Sequence, residues 1–120
     1  MAQISTFNEV IMKVNKEDIG GELIRDTDVY QVIDNNLLNN LTLSKTILHP
    51  LHRTSGHSHE GLEEVYFFID GSGRMQLDED FTTVTAGDIV LIPAGAYHRV
   101  YNDMHDKNLE FICVFQKYER

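Results

Sequence analysis

Glu64-Val65-Tyr66-Phe67-Phe68-Ile69-Asp70-Gly71-Ser72-Gly73 is the stretch from which the fold can be read. Val65 to Ile69 are all β-branched or aromatic, the composition of a strand, and Asp70 to Gly73 carry hairpin-turn chemistry. Arg74 to Leu77 then reads as the returning strand. Upstream, Leu41-Thr42-Leu43-Ser44-Lys45-Thr46-Ile47 alternates apolar and polar, the period-two pattern of a half-buried strand. Downstream, Phe81 to Thr85 ends at Ala86-Gly87-Asp88, Ile89 to Ile92 stops at Pro93-Ala94-Gly95, and Tyr97 to Tyr101 follows. Leu109 to Lys117 comes last, with Phe111, Cys113 and Phe115 on one face and Ile112 and Val114 on the other. About seven or eight short strands, punctuated by Gly, Pro and Asp, specify an all-β sandwich or barrel. Residues 1–40 are less regular, broken at Ile19-Gly20-Gly21 and at Asp34-Asn35-Asn36, and Val10 to Val14 and Val29 to Ile33 are ambiguous between helix and strand. The chain therefore divides into an N-terminal segment, 1–40, and a β-barrel, 41–120.

With 120 residues, one domain with one hydrophobic core is expected. Nineteen acidic against ten basic residues leave a formal charge of −9, which repels phosphate backbones and anionic lipid. That charge disfavours nucleic-acid and membrane-surface binding, and neither partner is expected. The longest purely apolar run, Val65 to Ile69, is far too short to span a bilayer. No basic-then-apolar start resembles a secretory signal, and the single Cys113 has no internal disulfide partner, which fits a reducing, cytoplasmic setting. What stands out is six histidines.

His57 and His59 lie two residues apart, so on an extended segment both imidazoles face one side. Glu64 shares its strand face with Tyr66 and Phe68, where a carboxylate is costly unless paired or bound to a metal. Glu63 competes for that role, but parity turns it outward. His98 brings a third imidazole from a later strand, just past Pro93-Ala94-Gly95. Three imidazoles and a carboxylate are a chemically sensible set for one divalent transition metal ion. His49, His52 and His105 are read as solvated or hydrogen-bonded side chains, and Cys113 as a small core residue.

Two segments resemble the signatures of the cupin superfamily. Gly56-His57-Ser58-His59 through Glu64 to Gly71 is similar to the first, G-x5-H-x-H-x(3,4)-E-x6-G; Gly87 through Pro93, Gly95 and His98 to Asn102 is similar to the second, G-x5-P-x-G-x2-H-x3-N. Six residues before His57, where the pattern asks for glycine, the chain has Leu51, which points to a different loop path into His57. The resemblance covers about Leu41 to Phe115. It implies a double-stranded β-helix, or jelly-roll, barrel with a metal held by His57, His59, Glu64 and His98. It also implies a homodimer, with the N-terminal segment packing across the partner.

An octahedral ion with four protein ligands keeps two positions for a small-molecule ligand or substrate. Fe, Mn, Ni, Zn and Cu are all compatible with this ligand set. Tyr66 is the candidate proton-transfer group, and Arg53, Tyr66, Phe68 and Phe115 are candidate substrate-binding residues. Arg99 is turned away by alternation, and Asn102 is expected to tie down backbone. The leading expectation is a metal-dependent enzyme, an oxygenase or an isomerase/lyase, acting on a small organic acid, sugar or related metabolite. Its alternatives are a non-catalytic metal-holding binding module and a metal-free sugar-nucleotide epimerase-like cupin.

Overall fold

A computed structural model describes residues 11–118. Among them are nine strands and no helix: β1 (Glu22–Asp26), β2 (Tyr30–Asn35), β3 (Leu41–Leu48), β4 (Glu64–Asp70), β5 (Ser72–Leu77), β6 (Asp80–Thr85), β7 (Ile89–Ile92), β8 (His98–Tyr101) and β9 (Leu109–Gln116). They form a six-stranded sheet in the order β1-β2-β3-β9-β4-β7 and a three-stranded sheet in the order β6-β5-β8. Every pairing is antiparallel. This is an all-β jelly-roll barrel. With no helix, no described segment is a helix long and apolar enough to cross a membrane.

The strand read first, β4, shows why the sheets pack. Glu64, Tyr66 and Phe68 are buried while Val65 and Phe67 are exposed. On β9, Leu109, Phe111, Cys113 and Phe115 are buried at alternate positions. Phe68 and Phe111 touch with ring centroids 5.2 Å apart, and Met75, Val100 and Leu48 close the core from the other strands. Each such side chain withdrawn from water stabilises the fold by roughly 1.5–3 kcal/mol.

On β3 the alternation runs opposite to the usual sense. The polar residues Thr42, Ser44 and Thr46 are buried, whereas Leu41 is exposed and Leu43 and Ile47 are half-buried. The inward hydroxyls have partners: Ser44 donates to Asp34 Oδ1 at 2.6 Å and Thr42 to Asn36 Oδ1 at 2.7 Å. This half of the barrel interior is polar, because it is the wall of a cavity.

The segment preceding β3 contributes to the same sheet. Val29 to Ile33, ambiguous in sequence, is largely strand β2, paired residue for residue with β3 from Tyr30↔Leu48 to Asn35↔Leu43. Lys45 Nζ donates to the Lys16 carbonyl and pairs with Glu110 at 3.3 Å, which fastens the preceding chain over the outer face. Residues 1–10 of the segment expected to pack across a dimer lie outside the described residues.

The hairpin expected at Asp70–Gly73 does not form, because the chain crosses there from one sheet to the other and β5 pairs with β6 and β8 instead of β4. Gly71, between β4 and β5, has φ +87°, and a Cβ there would meet the Asn108 carbonyl at 2.8 Å. At Leu51, where a new loop path was expected, the chain takes φ +60°, the left-handed conformation that glycine adopts without cost. Leu51 is 59% exposed, so its side chain gains little burial in return.

Candidate metal centre

Four side chains converge where the loop before β4 meets β8. An isolated antiparallel bridge sets His57 opposite His98, with His57 N–H donating to the His98 carbonyl at 3.2 Å and His98 N–H to the His57 carbonyl at 2.9 Å. Residues directly opposite in such a pair present side chains to one face. Their rings consequently lie 4.5 Å apart, and the His57 and His59 rings 4.7 Å apart. The His59 carbonyl accepts from Gly95 N–H at 2.9 Å, so the turn that precedes β8 holds the His-x-His loop in place. Glu64, the first residue of β4, comes in from the facing sheet. One potential ligand atom from each of His57, His59, Glu64 and His98 lies within 4.8 Å of the others.

Hydrogen bonds set the protonation pattern of these rings. Nδ1 of His98 faces the Ala96 carbonyl at 3.1 Å, and Nδ1 of His57 faces the Ser55 carbonyl at 3.2 Å. A ring nitrogen facing a carbonyl must carry the proton, so in each neutral ring Nε2 keeps its lone pair. His98 Nε2 lies 3.1 Å from Glu64 Oε2, and both atoms are buried without a hydrogen-bond partner when His98 is neutral. Two acceptors face to face in the interior require a cation between or beside them, either a proton or a metal ion. This orphaned pair is where the residues fit a metal.

The electrostatics agree. Burial opposes ionisation of Glu64, but the hydrogen bond with His98 and the three neighbouring histidines hold its carboxyl below 4.5. Burial likewise lowers His98, yet Glu64 and the Ala96 carbonyl outweigh it and hold the imidazole above 6.5. His57 is lowered by burial and by His98 and His59 beside it. Tyr66 is pushed well above 10.0, first by burial and then by Cys113 and Glu64.

A cavity of about 110 Å³ opens beside the cluster. His57, Glu64, Tyr66, Phe111, Cys113 and Phe115 line it together with Ser44, Thr46 and Val32, and Arg25, Tyr30 and Tyr118 are among the remaining lining residues. Tyr118 contacts His59, its hydroxyl 3.2 Å from Nε2. Of the residues anticipated from sequence, Tyr66 and Phe115 line this cavity. Phe68 does not: it is fully buried in the core, its ring tilted against Phe111. Arg53 does not either, because its backbone bridges to Tyr101 and places it with Arg74 and Arg99 in a separate, open cavity of about 510 Å³.

Glu63 is exposed, as parity required. Arg99 points away from the cluster and donates to the Thr54 carbonyl at 2.7 Å. Asn102 holds three backbone groups, donating to the Leu48 and Lys107 carbonyls and accepting from Met104 N–H. His49 contacts Asn108, His52 contacts the Pro50 carbonyl, and His105 is exposed.

Sequence reasoning missed Ser44, Thr46, Arg25, Tyr30 and Tyr118. The hydroxyls of β3 had a signal, the polar half of its alternation. Arg25 had none.

The small β-barrel carries a His₃Glu cluster grouped as a candidate metal site. Residues 45–115 match the model of the cupin domain, and the chain belongs to that family. An uncharacterized protein of Methanocaldococcus jannaschii is 32% identical over 72 residues, covering 60% of this chain. That stretch spans 57% of the relative's own length. Among solved structures, a predicted oxalate decarboxylase from Thermotoga maritima superposes with a TM-score of 0.68 at 23% identity, covering 89% of this chain and all of that one. KdgF from Halomonas sp. superposes with a TM-score of 0.73 at 13% identity, covering 85% and 91%. At these identities the structural likenesses establish the fold.

Proposed function

We propose that this cupin is a metal-dependent enzyme acting on a small organic acid, sugar or related metabolite, as an oxygenase or an isomerase/lyase. The observation that carries this reading is the buried Glu64 Oε2–His98 Nε2 pair, unsatisfied when His98 is neutral, beside a small cavity. When bound, the ion would supply Lewis-acid or redox chemistry to a ligand in that cavity. The chain's own residues do the rest. Ser55 and Ala96 carbonyls fix the imidazole tautomers and aim Nε2 at the centre. Phe111 and Phe115 line the cavity with apolar surface, and the Thr46 hydroxyl is placed to orient a polar ligand while Ser44 donates to Asp34. Tyr66, kept neutral by burial, serves as a hydrogen-bond donor rather than as a base.

That same neutrality favours a second reading, a metal-holding binding module without turnover, since no other residue read as a proton carrier lines the cavity. The intact four-residue set argues against a metal-free epimerase-like protein. Metal analysis of untagged protein purified without chelators tests the first step. About one transition-metal ion per chain is expected in the wild type and a loss of most of it in His57→Ala and His98→Ala. Equal metal content in all three would remove the ligand assignment. Screening the loaded protein for oxygen uptake, isomerisation and decarboxylation of small acids and sugars separates the enzyme from the binding module.

A further inference from the structure

Arg25 reaches the metal cavity through a break in strand register. β1 pairs Leu23↔Ile33 and then Arg25↔Val32, so Ile24 is an extra residue, a β-bulge. In regular pairing Ile24 would stand opposite Val32, and Arg25 would stand opposite Gln31 on the outer face. The bulge moves Arg25 opposite Val32, which is 6% exposed and lines the cavity wall. Residues directly opposite share a face, and Arg25 accordingly lines the same cavity as His57 and Glu64.

Arg25 is exposed along its strand and stands without an ion pair among the described residues, as Arg53 and Arg99 also do. Lys45 pairs with Glu110, Arg74 with Asp103 and Lys107 with Asp70, but Arg25 pairs with no carboxylate among the described residues, on a chain of net charge −9. A divalent ion held by one carboxylate and three neutral imidazoles leaves one unit of positive charge, and Arg25 adds a second. The cavity, about 110 Å³, suits a small ligand rather than a polymer. Small size, excess positive charge and a planar fork of donors together select a small carboxylate.

Resting on the metal reading above, we infer that Arg25 is the carboxylate anchor of the site. Its substrates are small carboxylic acids bearing a second oxygen donor (hydroxy, keto or a second carboxylate). One carboxylate takes the guanidinium, and the second oxygen faces the His57–His59–Glu64–His98 cluster.

The test titrates Mn²⁺-loaded protein calorimetrically with malonate, and with acetohydroxamate as an uncharged metal chelator. Arg25→Gln should keep its metal and its acetohydroxamate affinity but bind malonate about ten- to a hundredfold more weakly, the range for a lost charge-assisted pair. Arg25→Lys, which keeps the charge without the fork, should fall between. Unchanged malonate affinity in Arg25→Gln with metal retained overturns the anchor and leaves the metal site standing. Equal weakening of both probes overturns it as well, whereas a wild type that takes up no metal overturns both readings together.

Discussion

A single carboxylate oxygen, Glu64 Oε2, sits 3.1 Å from His98 Nε2 and 3.8 Å from His59 Nε2, and the chemistry of the site depends on what cation those atoms share. In the metal-free protein the cation is a proton. His98 titrates above 6.5 because Glu64 stabilises its charged form, so its contribution to stability is full below 6.5 and is lost as pH rises through the raised value. Glu64, titrating below 4.5, contributes above that pH and loses its contribution as pH falls through the lowered value. His57, lowered, is already neutral near pH 7. Where His98 is protonated, an arriving metal must displace that proton, so affinity rises with pH through that titration. Calorimetry in buffers of different ionisation enthalpy should show proton release on metal binding, and Glu64→Gln should lower both the release and the metal content. Unchanged release in that variant would contradict the pairing. The ligands themselves were legible as residues, because an i, i+2 histidine pair and a carboxylate at the head of an aromatic strand show their facing by parity alone.

Individual strands show where parity misleads. β4 and β9 bury the faces their alternation indicates, because their inner sides meet the apolar core. β3 shows the same period and buries its polar half, since its inner side is a cavity wall that uses Ser44 and Thr46. Alternation reports two faces but not which of them is inside. The loop before the histidines offers a direct test at this scale. Leu51 occupies φ +60° while 59% exposed, a conformation costing a non-glycine residue about 1–2 kcal/mol. Glycine removes that cost but gives back about 0.4–1 kcal/mol through the freer unfolded chain. Leu51→Gly should thus raise stability by about 0.5–1 kcal/mol in a denaturant melt, with metal content unchanged. A loss of stability would mean that the Leu51 side chain contributes contacts beyond its backbone strain.

For the whole molecule, the centre is held by parts that are distant in sequence: a loop before β4, the start of β4 and the start of β8. The His57–His98 bridge joins the first to the last, while Glu64 belongs to the opposite sheet. An ion bound there ties the two sheets together and stabilises only the folded arrangement. At free metal a hundredfold above Kd the gain is about 2.7 kcal/mol, or about 10 °C in Tm for a domain of this size. Scanning calorimetry with and without a chelator measures it. Identical melts for loaded and chelated protein would show that no ion is held by the native state.

The sequence by itself determined the strands from Leu41 onward, the all-β class, the inward facing of Glu64, Tyr66 and Phe68, and the four candidate ligands. All of these follow from period-two facing, turn chemistry and spacing along one stretch of chain. Only the tertiary structure decided that β3 turns its hydroxyls inward, that Phe68 belongs to the core and Arg53 to another cavity, and that Arg25 enters the site. Those outcomes depend on which strands become neighbours and in what register. A one-residue bulge on β1 leaves no mark in local composition, yet it reverses the side on which an arginine lies.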